Sequence, residues 1–297
     1  MSEFPNVTAV SEHAVCAMHE PVGSEEFKKL METIATSKTV SRACFFSTSL
    51  DYKSAVEVAK MLKLNKALQV LDLSENYDIG DKGVTLLADA LEQNQSVVQV
   101  SFENLNISNS GAHAIGKCLV VNKYIVRLNL QYNSISAEGI KAEAVAKSMS
   151  TTAHQLFCTS RPFGIGESLK INSTLKELNL NGNEIGSMGA ESIGDALKSN
   201  TSLEILRLVR NGIGDTGAIS LGDGLKENSS LQILELQNNE IGVAGSLQLL
   251  KAAAAAGSPI KKINLAGNSH CRDKESITQL TSFISEQAFL SNEVVNL

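Results

Sequence analysis

Leu175-Lys-Glu-Leu178-Asn-Leu180-Asn-Gly-Asn183-Glu-Ile185-Gly186-Ser-Met-Gly189 is the stretch that decides the fold. Its first, fourth and sixth residues are Leu, its ninth is Asn, and Ile-Gly and a later Gly follow. The same order returns at Leu203-x-x-Leu206-x-Leu208-x-x-Asn211 and at Leu231-x-x-Leu234-x-Leu236-x-x-Asn239, in steps of 28 residues. Leu68 to Asn76 and Ile125 to Asn133 carry it upstream, and Ile260 to Asn268 downstream. A fixed period of this length signals a solenoid, in which units too small to bury their own apolar faces stack into one continuous core.

Within a unit, alternation sends the first, fourth and sixth residues inward and their neighbours outward. The ninth-position Asn is expected to be a buried amide that satisfies backbone groups leaving the sheet. Gly after Ile is expected to turn the chain sharply at positive φ. Strands about 4.8 Å apart face helices about 10 Å wide, so the stack must curve with the sheet on the inside.

The helical half repeats as well. Gly189-Ala190-x-x-Ile193-Gly194-x-Ala196-Leu197-x-x-Asn200 returns as Gly217-Ala218-x-x-Leu221-Gly222-x-Gly224-Leu225-x-x-Asn228. Together the two halves resemble the leucine-rich repeat in its long form, typified by ribonuclease inhibitor. The resemblance covers residues 40–272. It implies an α/β solenoid of about nine repeats: an open horseshoe with a parallel β-sheet on the concave face and α-helices on the convex face. It also implies a non-enzymatic scaffold or adaptor that binds a protein partner, without naming one. Ribonuclease inhibition is disfavoured, because that inhibitor is rich in Cys and uses Trp contacts, whereas this chain has 5 Cys and no Trp.

Stepping the period along the chain places repeats at Val40, Leu68, Val97, Ile125, Ala153, Leu175, Leu203, Leu231 and Ile260. The fifth, Ala153-x-x-Leu156-x-Cys158-x-x-Arg161, is irregular: Arg161 replaces Asn, Pro162 follows, and the unit at about 153–174 is short. Glu143 sits where the preceding helix should place Leu or Ile. Either that helix shifts register or a carboxylate is buried at substantial cost unless paired. Residues 1–39 are expected to supply a capping helix, with Glu25 and Glu26 after Ser24 and an apolar face of Phe27, Leu30, Met31 and Ile34. Residues 273–297 are expected to close the other end through Ile277, Leu280, Ile284 and Phe289.

Composition limits the function classes. A net charge of −6 without a dense basic tract argues against nucleic acid or an anionic membrane as partner. No apolar run approaches the roughly 20 residues of a membrane span, and the N-terminus lacks signal-peptide character. A cytoplasmic, monomeric protein is expected. The cysteines (Cys16, Cys44, Cys118, Cys158 and Cys271) form no C-x-x-C pair and suggest neither a disulfide framework nor a zinc site. The histidines (His13, His19, His113, His154 and His270) show no metal-ligand spacing, so no metal, cofactor or catalytic residue is expected. Sequons at Asn172, Asn200 and Asn228 coincide with the helix-to-strand turn of the repeat.

A solenoid's concave surface is its natural binding face. Its outward columns give two clusters. One is acidic (Asp72, Glu75 and Glu103). The other mixes Arg207 and Arg210 with Ile205, Val209, Ile233 and Glu235. Tyr132 joins them from the eighth position of its repeat. Adjacent Arg and aliphatic side chains are interface-like; an ordinary solvated sheet face is the alternative.

A second functional class rests on Phe157-x-x-Ser160-Arg161 with Ile165 and Leu169 beyond. This segment distantly resembles the Phe-Thr-Gly-Arg…Glu-Ile-Pro-x-Ala-Leu stretch of the Ran GTPase activator family. That resemblance implies a GTPase-activating protein with Arg161 as arginine finger. The spacing differs, Gly and Glu-Ile-Pro are missing, and so is the long acidic tail. A loop that shortens the repeat, with Arg161 as its cap, explains the same residues. A repeat region of an innate-immune or cytoskeletal protein is a third reading.

Overall fold

Each apolar triplet of the repeat forms a short strand, and a helix follows it back across the core. The computed structural model describes residues 9–10, 13–18, 24–141, 163–269, 274–287 and 294–297. Its strands are β1 (Ala9–Val10), β2 (Ala14–Met18), β3 (Arg42–Phe46), β4 (Val70–Asp72), β5 (Gln99–Ser101), β6 (Arg127–Asn129), β7 (Glu177–Asn179), β8 (Ile205–Arg207), β9 (Ile233–Glu235), β10 (Lys262–Asn264) and β11 (Val295–Asn296). Its helices are α1 (Ser24–Thr36), α2 (Tyr52–Leu64), α3 (Gly80–Gln93), α4 (Asn109–Val121), α5 (Ala137–Ile140), α6 (Ile165–Ile171), α7 (Gly186–Leu197), α8 (Gly214–Glu227), α9 (Val243–Ala253) and α10 (Lys274–Glu286). The strands form one open sheet in chain order, parallel from β2 to β11, with β1 antiparallel at the edge. This is the α/β solenoid expected from the period.

The inward residues behave as the alternation requires. Leu175, Leu178, Leu180, Leu203, Leu206 and Leu208 are fully buried, as are Ile193, Leu197, Leu221 and Ala218 on the helices behind them. Gly186 and Gly214 take φ of 62° in the Ile-Gly turn. Close helix spacing depends on Gly224, where a Cβ would lie 2.2 Å from the carbonyl oxygen of Gly194 in the neighbouring helix.

Two boundaries differ from the sequence expectation. The strand expected at 153–161 does not lie between its neighbours: β6 pairs directly with β7, Arg127 with Glu177 and Asn129 with Asn179. The helix of the fourth repeat is interrupted instead. Helix α5 begins it and α6 completes it, and Asn172 bonds the Leu119 carbonyl across 53 residues where Asn122 reaches Leu91 across 31. Extra chain is therefore inserted into one repeat. Both ends of the insertion meet: a Cβ on Gly164 would lie 2.0 Å from the Lys141 carbonyl oxygen, a contact only glycine permits. Residues 142–162, including Glu143, Ala153, Phe157, Cys158 and Arg161, lie outside the described residues.

The second difference is at the N-terminus. One period before Arg42 stands Ala14, and β2 pairs with β3 in that register. With buried Val15 and Ala17, β2 and α1 make a further strand-helix unit rather than a helix alone. The four expected apolar residues of α1 are buried, and the Phe27 ring meets Phe45 edge-on at 5.1 Å. In α10, Leu280 and Ile284 are buried but Ile277 is exposed, and Val295 of β11 is buried beside β10.

Two ladders of buried Asn tie successive units together. At the ninth position, Asn239 Nδ2 donates to the Leu208 and Leu236 carbonyls at 2.7 and 3.0 Å, while its Oδ1 accepts from Asn211 N at 2.7 Å. At the helix ends, Asn94, Asn122, Asn172, Asn200 and Asn228 each donate to a carbonyl of the preceding unit at 2.7–2.8 Å. Each also accepts from its own following strand, as Asn200 does from Ser202 N and Leu203 N. All three sequon residues are in this ladder and are at most 6% exposed, so the folded chain does not present them for glycosylation.

Asn239→Ala is expected to lower unfolding free energy by about 1–3 kcal/mol, because it strands buried backbone groups. Asn211→Ala should cost less, since Asn211 Oδ1 has no partner among the described residues. Equal losses in denaturant titrations would contradict the ladder assignment. Replacing residues 142–162 by a short Gly-Ser linker should leave a cooperative unfolding transition by circular dichroism; loss of folding would mean that the segment completes the sheet.

Candidate functional site

The outward side chains of the sheet divide into those that bond one another and those that do not. Arg207 is the centre of the first group. It pairs with Glu177 on one side and Glu235 on the other (Nε to Oε2, 3.2 Å), and Arg127 Nε lies 3.4 Å from Glu177 Oε2. The row crosses β6, β7, β8 and β9, with Arg207 only 27% exposed. Arg207 and Glu235 thus neutralise each other inside the face.

The acidic residues are also engaged. Asp72 Oδ1 accepts from Ser74 N at 3.0 Å and from Ser74 Oγ at 2.5 Å, and Ser74 Oγ lies 2.8 Å from Ser101 Oγ. Asn129 Nδ2 donates to Ser101 Oγ and to Glu103 Oε2, both at 3.0 Å. Asp72 and Glu103 therefore end one continuous polar row. Glu75 stands apart, accepting from the Tyr77 hydroxyl at 2.6 Å and from Asn104 Nδ2 at 2.9 Å. The hydrogen bond to Glu75 holds the Tyr77 phenol above its ordinary range, assisted slightly by burial and by the carboxylate charge.

The eighth positions of the units form a further column. Every residue there has a left-handed backbone: Ser47, Glu75, Asn104, Tyr132, Gly182, Arg210, Asn238 and Gly267 have φ between 53° and 73°. The column follows from the turn that leads each strand toward its helix. Tyr132 and Arg210 are exposed and flank Gly182, each strand bonded to the next through Tyr132 N to Asn181 O and Gly182 N to Val209 O. The Tyr132 ring lies over Gly182, where a Cβ would come 2.4 Å from Cδ1. Ile205, Val209 and Ile233 are half-buried, and Ile205 and Ile233 stand opposite one another where β8 pairs with β9. Tyr132 and Arg210 thus stand on either side of Gly182 in one column. The left-handed column was not foreseen; the run of Asn and Gly at the eighth position was its signal.

The leucine rich repeat family model matches residues 64–88, 121–142, 172–194, 199–222 and 227–245, each stretch running from a helix end through a strand toward the next helix. The chain is built of leucine-rich repeats. The matched stretches leave out the inserted segment. No curated protein matches the chain. Among solved structures, the leiomodin-1 actin-binding site 2 is 24% identical at a TM-score of 0.40, over 52% of this chain and 77% of that one. The tropomodulin C-terminal domain of Caenorhabditis elegans is 14% identical at 0.43, over 60% of this chain and 93% of that one. Neither likeness assigns a partner to these repeats.

Among the described residues, no three His, Cys, Asp or Glu side chains converge to hold a metal ion, and no helix is long and apolar enough to cross a membrane. Arg207→Met is expected to lower stability by about 1 kcal/mol, since Glu177 and Glu235 lose a shared, partly screened partner. The deficit should shrink at high salt. A loss independent of salt would assign Arg207 a packing role instead.

Proposed function

We propose that this chain is a non-enzymatic interaction scaffold of the long-repeat, ribonuclease-inhibitor-like kind. It binds a protein partner on the concave face around Tyr132 and Arg210, as a monomer in the cytoplasm. One observation supports this reading above the others. The eighth position imposes a left-handed backbone, which costs an ordinary L-residue about 1–2 kcal/mol and glycine nothing. Gly182 and Gly267 take the inexpensive solution, and Asn104 and Asn238 the next best. Of the remaining four, Ser47 and Glu75 are half-buried, whereas Tyr132 and Arg210 are exposed. Strain retained at exposed aromatic and guanidinium groups points to use rather than to folding. Tyr and Arg are also the types enriched at binding hot spots. Ile205, Val209 and Ile233 supply an apolar border, while the Arg207 row leaves the sheet face charge-balanced.

The GTPase-activating alternative has less support. Ile165 and Leu169, which entered that resemblance, are fully buried in α6 as core of the interrupted helix. Phe157, Ser160 and Arg161 lie outside the described residues.

Stability and binding should separate at Arg210. Arg210→Gly is expected to raise unfolding free energy by up to about 1 kcal/mol through relief at positive φ, while weakening partner capture at least tenfold. The measurement is affinity capture from lysate, quantified by mass spectrometry, for wild type, Arg210→Gly, Tyr132→Ala and the convex-face control Glu191→Lys. A partner retained by both concave variants, or lost equally in the control, would remove the site from this face.

A further inference from the structure

At the N-terminal end of the concave face, Cys16 and Cys44 stand directly opposite one another in the parallel pairing of β2 and β3. Both occupy the fifth, outward position of their units, and both are reduced thiols. Adjacent strands lie about 4.8 Å apart, within the roughly 4.4–6.8 Å between Cα atoms that a disulfide spans. The two side chains interact: a hydrogen bond with Cys16 is among the causes that push the Cys44 thiol up. Access is unequal, with Cys44 7% exposed and Cys16 only half-buried. Directly opposed residues on parallel strands sit near the short end of the Cα range, and bonds in strained or exposed settings are the readily reduced ones.

We propose that Cys16 and Cys44 are a thiol–disulfide exchange site, which a low-molecular-weight disulfide converts into a reversible cross-strand bond. Cys16, as thiolate, attacks one sulfur of the external disulfide; that S–S bond breaks and one external thiolate leaves, taking a proton from water. Cys44 then gives its proton to solvent and attacks the Cys16 sulfur. The Cys16–Cys44 bond forms, the mixed disulfide breaks, and a second external thiol departs. Two protein thiols are oxidised and one external disulfide is reduced to two thiols.

The order of attack follows from the surroundings. Burial above all pushes the Cys44 thiol up to about 12, with the charge of Cys16, its hydrogen bond and Asp72 adding to the rise and Arg42 opposing it. Cys44 is therefore protonated and covered while Cys16 reacts. Capping Cys16 as a mixed disulfide removes its part of that rise. The product bond ties the β2–α1 unit to the body of the solenoid. Cys118, 3% exposed and also pushed up to about 12 by burial, is the internal control for an unreactive thiol.

The test is incubation of the full chain with glutathione disulfide at mildly alkaline pH, then alkylation and tryptic mapping without reduction. Cleavage at Lys28, Lys29, Lys38 and Arg42 separates the two cysteines, so a linked pair of peptides reports the bond. The expected result is that link in wild type, reversed by dithiothreitol, and a stable glutathione adduct on Cys16 in Cys44→Ser. Cys16→Ser should leave Cys44 unmodified, which serves if Cys44→Ser does not fold. A wild-type adduct that stays on Cys16, unreacted Cys16 in a chain folded by circular dichroism, or a link formed only in denaturant would each overturn the proposal.

Discussion

The turn at either end of each unit must dispose of backbone groups that leave the sheet and the helix inside an apolar stack. A buried, unpaired amide or carbonyl costs about 1–3 kcal/mol, and each unit has several. The chain meets this demand with Asn side chains that reach one unit back: Nδ2 gives to a carbonyl already committed to the previous turn, and Oδ1 takes the N–H groups of a neighbouring one. Leu packing is tolerant of small slips, but these hydrogen bonds are not. They fix the stagger between units, and through it the row in which every outward side chain stands. At the convex edge, Asp81, Asn109 and Asp215 do the same for the first turn of the next helix, as Asp215 Oδ1 does for Gly242 N and Gly245 N at 2.8 and 2.9 Å.

The same ladder explains which parts of the fold were legible in the sequence. Period and apolar spacing correctly placed the strands at Leu68, Leu175, Leu203 and Leu231, because packing and polar satisfaction demand the same residues there. At Ala153 only the period spoke. An apolar pattern as loose as Ala-x-x-Leu-x-Cys arises easily by chance. The stricter signal is the helix-end Asn three residues before six of the repeat starts: Asn65, Asn94, Asn122, Asn172, Asn200 and Asn228. Ser150 holds that place before Ala153, and between Asn122 and Asn172 the only Asn residues, Asn129 and Asn133, belong to the fourth strand and its turn. At Val40 a hydroxyl stands in, Ser37 Oγ accepting from Val40 N at 3.1 Å, so the absence of Asn alone does not remove a unit. The β2 unit was missed for the converse reason. Its inward residues are Val15 and Ala17, too small and too few to announce a repeat, and its register becomes visible only through pairing with β3.

The candidate site divides along a similar line. Which residues face outward follows from alternation. Which of them are available does not follow, because availability depends on diagonal partners in neighbouring units. Glu177, singled out in neither cluster, pairs with Arg207 across the sheet. Ser101 and Asn129 draw Asp72 and Glu103 into one row. A charged column on a solenoid is therefore weak evidence of binding until its lateral neighbours are counted.

Backbone conformation discriminates better than side-chain type. The turn after the strand takes a left-handed residue at each of the eight eighth positions among the described residues, so the cost is uniform while the residue is free to vary. A position like this separates structural need from use more sharply than burial does. Gly182 shows what the turn asks for when nothing else is asked, and it leaves a floor on which the Tyr132 ring rests. Tyr132 and Arg210 on either side carry large side chains through the same strained turn. Since neither side chain is buried, the packed core does not repay that strain. That unrepaid strain is the ground of the proposed interface, and half-buried Ile205, Val209 and Ile233 give the same sheet face apolar area.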